Sequence, residues 1–226
     1  MRESLLYNDK FQLFIRLLTT LSFGLYTAYQ IYLTVVIEAY RFGRLATDSI
    51  FLLITISSVL MFFDNRKAAK ARTILFVIGM LLLIFVKMIN IPVLFGNLDA
   101  SNPVSVMNCV IFVLSQLGTI GLLVYYITLM SSSEFRKKQT LRVVLSLIIA
   151  AFFLACLIME LIMITKFGVN IDASRKLTIL SRFLYFFGFG GTAICLMLPA
   201  LMVEVQHKPG EFVYSEEDDD EIDLVM

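Results

Sequence analysis

Five polar side chains interrupt otherwise apolar stretches of this chain: Lys87, Asn90, Asn108, Glu160 and Arg182. A charged group in hydrocarbon is costly, so such residues are either paired with one another or face a ligand or water. Two cations against one carboxylate suit an anionic or zwitterionic ligand, with the asparagine amides adding both donors and acceptors. The same residues also fit a purely structural role, in which Glu160 pairs with Lys87 or with Arg182 and ties helices together. Such a pair is favourable only with good geometry and further hydrogen bonds.

Depth is what groups the five. At ~1.5 Å of rise per residue, Lys87 and Asn90 fall in the outer part of the third apolar run. Asn108 lies near the outer end of the fourth, Glu160 toward the outer end of the fifth, and Arg182 about as deep on the sixth. Glu38 and Asp48 stand at the rim of the same half. The cluster therefore reads as a water-accessible pocket open to the extracytoplasmic or lumenal side, or as an ion-paired anchor at that level.

The elements that must hold these residues are transmembrane helices. The chain has 226 residues, 59% hydrophobic and 16% charged, with a mean hydropathy of +0.85. Soluble domains run at about 45–50% apolar and about 25% charged. The excess falls in runs near the ~20 residues a helix needs to cross hydrocarbon. Six such runs cover residues 11–38, 45–63, 73–95, 104–130, 141–165 and 177–203. They lack the alternation of strands, and an open strand cannot satisfy its backbone in lipid. The fold class expected is all-α: a six-transmembrane-helix bundle of up-down topology. A short N-terminal segment, residues 1–10, precedes the transmembrane domain of residues 11–205, and a tail, residues 206–226, follows it.

Basic residues near the helix ends set the orientation. With the N-terminus inside, the inner segments hold Arg2 and Lys10, then Arg66, Lys67, Lys70 and Arg72, then Arg136, Lys137, Lys138 and Arg142, then Lys208. The outer segments hold only Arg41 and Arg44, then Lys166, Arg175 and Lys176. Eleven against five places both termini in the cytoplasm.

Each outer loop couples a glycine (Gly43, Gly96, Gly168) to a polar residue a few positions on (Asp48, Ser101, Ser174). The glycines fit left-handed helix C-caps and the polar residues, or their neighbours, fit N-caps. Asn90-Ile91-Pro92 is expected to kink or fray the third helix. Gly188, Gly190, Gly191 and Thr192 are small residues that let the sixth helix approach its neighbours closely. Gln116 is expected to bond a neighbouring helix. Arg16 is near enough to the inner interface to snorkel.

Several function classes are excluded. The single histidine, His207, follows the last span, so bis-histidine haem ligation has no residues. The three cysteines, Cys109, Cys156 and Cys195, read as small buried hydrophobes. No catalytic motif stands out, and no enzyme activity, cofactor or metal is expected. A net charge of +1 gives no field for nucleic acid.

The last stretch, Tyr214 to Met226, is acidic and lacks a core pattern. Ser215 precedes Glu216, Glu217 and Asp218 and so suits an acidophilic kinase. Two readings follow. One is a non-enzymatic multi-pass membrane protein: a small-solute or ion transporter, channel or ligand-binding module using the outer polar cluster. The other is an accessory or assembly subunit, packed against a membrane protein partner or a second copy, that recruits cytosolic factors through residues 216–226. The lipid bilayer is a partner in both, and the sequence does not distinguish plasma membrane from endomembrane.

Overall fold

A computed structural model describes residues 9–36, 42–63, 66–89, 91–96, 98–166 and 173–206. Among these there is no strand, and the chain is an all-α bundle. Its helices are α1 (Asp9–Val36), α2 (Phe42–Val59), α3 (Arg66–Ile89), α4 (Ile91–Gly96), α5 (Pro103–Ser131), α6 (Ser133–Lys137), α7 (Gln139–Lys166) and α8 (Ala173–Gln206). A 3-10 turn, Leu60–Phe62, closes α2.

The long helices form a ring in chain order: α1 packs on α2, α2 on α3, α3 on α5, α5 on α7, α7 on α8, and α8 returns to α1. α1 runs antiparallel to both α2 and α8, because along each of these two seams numbers rise on one helix as they fall on the other. Arg16 meets Met61, Thr20 meets Ser58, Thr27 meets Phe51 and Thr34 meets Asp48. On α8, Tyr29 meets Thr178 and Thr19 meets Cys195. The interior is aromatic, with Phe23, Phe51, Phe153 and Phe189 nearly inaccessible. The outside carries exposed Leu154, Ile158 and Leu161 on α7 and Leu13, Leu17 and Leu21 on α1. Apolar side chains facing outward along whole helices are what a bilayer solvates.

Five helical segments are long and apolar enough to cross a membrane: Arg44–Phe62, Lys67–Ile89, Pro103–Ser131, Gln139–Lys166 and Leu177–Met197. The expected sixth, α1, is a full helix but falls short of that apolarity. The reason lies in its seam with α2. Thr20 Oγ1 donates to the Ser58 carbonyl at 3.2 Å, and Thr27 Oγ1 donates to that of Phe51 at 3.2 Å. Thr27 and Thr55 share a 2.8 Å hydroxyl contact. Thr34 Oγ1 donates to Asp48 Oδ2 at 2.7 Å. These hydroxyls lower the hydropathy of α1 while bonding it to its neighbour.

The helix ends differ from expectation in instructive ways. Gly43 lies in the first turn of α2, and Gly96 ends α4 without a left-handed backbone. Neither is the left-handed cap expected; Gly168 lies outside the described residues. Asp48 is not an N-cap but sits within α2, bonded to α1. The cap of α5 is Asn102, whose Oδ1 accepts from the Val104 amide at 3.0 Å, with Pro103 supplying the pre-set first turn. Its neighbour Ser101 instead bonds Asp99. α3 is described to Ile89 and α4 from Ile91; Asn90, at the head of the stretch expected to kink or fray, lies outside the described residues. Arg16 Nη1 donates to the Met61 carbonyl at 3.2 Å, closing the 3-10 turn from the side.

Small residues set the helix spacing. A side chain at Gly118 would meet the Phe153 ring at 2.8 Å, and one at Gly188 would meet the Phe23 ring at 2.7 Å. Both glycines let an aromatic ring fill the centre of the ring of helices.

Candidate functional site

Arg182, in the third turn of α8, reaches sideways across the bundle. Its Nη1 donates to Glu160 Oε1 on α7 at 2.7 Å and to Asn108 Oδ1 on α5 at 3.0 Å. One guanidinium thus clasps two helices besides its own. The two charges differ sharply in exposure: the Glu160 side chain is 2% exposed and that of Arg182 is 44% exposed. Glu160 is the group that needs the pair, since an uncompensated carboxylate there would lack both water and counter-charge.

Lys87 approaches the same region from the last turn of α3. Its Nζ donates to the Tyr185 hydroxyl and stands 4.3 Å from the centre of the Tyr185 ring. A tyrosine ring offers a cation partial compensation through its negative face. No carboxylate lies within ion-pair distance of Lys87 among the described residues. Tyr185 is one turn beyond Arg182 on α8, so helical geometry brings both to the same side. It is held by contacts with Tyr26, Phe186 and Phe189 and by a 3.5 Å hydroxyl contact with Thr119.

These groups line one cavity of about 620 Å³. Lys87, Asn108, Glu160 and Arg182 supply its charged and amide wall, and Tyr26, Ile111, Phe112 and Phe186 supply apolar wall. Its volume is in the range of small-molecule sites. Beneath it the Phe23–Phe189 edge contact at 5.0 Å and the Phe153–Phe189 stack at 5.7 Å form a dry floor.

Four of the five residues singled out by depth therefore meet in one place, and Glu160 takes Arg182 rather than Lys87 as its partner. Asn90 lies outside the described residues, as do Glu38 and Ser215. Asp48 does not join the cavity; it faces α1, where Thr34 bonds it. Gln116 bonds no neighbouring helix among the described residues: its side chain is buried, and neither carboxamide atom has a partner there. Tyr185, Tyr26, Ser105, Ser115 and Ser181 also line it and were not singled out from sequence, and Cys109, which reads from sequence as a small buried hydrophobe, lines it too. Only Tyr185 and Ser181 carried a signal, through their places beside Arg182 on one helix.

A side chamber of about 190 Å³ adjoins the cavity, bounded by the same Asn108, Glu160 and Arg182 and otherwise mainly by aliphatic side chains. A third hollow, of about 400 Å³, lies between α1, α7 and α8 and is almost wholly apolar, with Ala150, Ala151, Gly190 and Gly191 in its wall. Among the described residues no cluster of histidine, cysteine and carboxylate groups could hold a metal ion. Compared with known proteins, the chain matches no family model, no curated protein and no solved structure.

Proposed function

We propose that this integral membrane protein binds a small anionic or zwitterionic solute in its outer-half cavity, as a non-enzymatic transporter, channel or ligand-binding module. The observation that carries this reading is the meeting of Lys87, Asn108, Glu160 and Arg182, from four helices, around one 620 Å³ space. Within that space the carboxylate of Glu160 is matched by Arg182, which leaves Lys87 as the excess positive charge. A cation so placed raises the local concentration of anions and discriminates against cations. In this reading α1 is a sixth span whose hydroxyls face α2, both termini are cytoplasmic, and the cavity faces the opposite side.

The test is solute uptake and binding by the purified chain in vesicles. Lys87→Gln should reduce anion binding at least tenfold while leaving the fold intact, because among the described residues Lys87 bonds only Tyr185. Unchanged anion affinity in Lys87→Gln would contradict the proposal.

A second reading, an accessory subunit that packs against a larger membrane protein, draws support from the apolar hollow between α1, α7 and α8. Its alanines and glycines leave room for a close helix. Purification with a stoichiometric membrane partner, lost when Gly190 is changed to leucine, favours that reading.

A further inference from the structure

The clasp of Asn108, Arg182 and Glu160 is a shared wall: the 620 Å³ cavity lies on one side and the 190 Å³ chamber on the other. That wall consists of side chains, and its central member is the half-exposed Arg182. Both hydrogen bonds of Arg182 run through Nη1, so Nε and Nη2 have no partner among the described residues. That free edge of a guanidinium matches the two oxygens of a carboxylate or phosphate. Lys87 adds a second cation in the larger cavity. The chamber is different in kind. Val104, Met163, Ile164 and Ile179 make up its aliphatic sides, with Thr178 at its edge, so beyond the clasp it offers little for a polar group.

We infer that the ligand is an amphiphilic oxyanion that straddles the clasp, with its acid group between Lys87 and the free edge of Arg182 and its hydrocarbon chain in the side chamber. This rests on the anion-binding reading above and narrows it to one chemical class. Charge holds the head, and removal of methylene groups from water holds the chain.

The experiment titrates n-alkyl carboxylates of two to eight carbons into the full chain in nanodiscs of zwitterionic lipid. Wild-type affinity should rise roughly threefold to fourfold per added methylene, then level off once the chamber is full. Ile179→Trp and Val104→Trp fill the chamber from two different helices. Both should abolish the rise with chain length and leave the affinity for the shortest acids within about twofold of wild type. That retained short-acid binding also reports that the variants fold. Arg182→Gln should lose binding at every length. An affinity that does not depend on chain length in the wild type overturns the amphiphile but leaves the anion site standing. So does a rise that persists equally in both tryptophan variants, since it reports partition into lipid. Failure of the wild type to bind any carboxylate overturns the anion-binding reading itself.

Discussion

Glu160 and Arg182 make one hydrogen-bonded pair, yet removing either partner should have different consequences. Glu160 is 2% exposed and Arg182 is 44% exposed. Arg182→Gln leaves a carboxylate in a site without water, and should destabilise the fold by about 2–4 kcal/mol. Glu160→Gln leaves a guanidinium that can turn to solvent, and should cost only about 1 kcal/mol. Thermal or denaturant unfolding of the two variants in one detergent checks the order; equal losses would mean that the pair is solvated as a unit. Outside the helices, Ser101 gives Asp99 both a hydroxyl bond at 2.6 Å and an amide bond at 2.9 Å. These hold the Asp99 carboxyl below the usual carboxylate range. The sign follows: their contribution is present above the unfolded pKa and is lost as pH falls through the lower, folded value. Ser101→Ala should raise the Asp99 titration midpoint toward the ordinary value, as read by carbon-detected NMR of the labelled side chain.

Elements show which features of the fold were legible. Continuous apolar runs marked five spans, because lipid imposes that pattern along the chain itself. The lateral direction of a side chain is not written that way. Counting residues placed Lys87, Asn108, Glu160 and Arg182 at one depth, and four helices turn them into one space. The same counting placed Asp48 nearby, but its face of α2 looks at Thr34 of α1. Tyr185 was hidden because a tyrosine in an apolar run looks like any core aromatic; its place three residues after Arg182 was the available clue. The turn glycines misled because α2 begins before the polar residues that resemble caps. The close approaches in the bundle carry a prediction of their own. Gly188→Ala would push against the Phe23 ring and should cost about 1–3 kcal/mol. Gly24→Ala, where a methyl meets nothing within 4 Å, should be neutral or slightly stabilising. Melting temperatures of the two variants provide the comparison, and equal values would argue against tight packing of α8 on α1.

The whole molecule is asymmetric across its thickness. One end of the ring holds a cavity walled by charge, the middle is packed phenylalanine, and the other end is rimmed with arginine and lysine. This arrangement gives the central claim a direct measurement. Cys109 lines the cavity, whereas Cys156 is in the dry interior. With Cys156 and Cys195 replaced by alanine, Cys109 becomes the only thiol. A membrane-impermeant thiol reagent is then added from each side of sealed vesicles. We predict modification from the side opposite the basic loops, with a sulfonate-bearing reagent reacting at least tenfold faster than an ammonium-bearing one. Lys87→Gln should erase most of that preference. A thiol that reacts only from the basic-loop side, stays inert to both reagents, or favours the cation would contradict a cation-lined cavity open to the outer face.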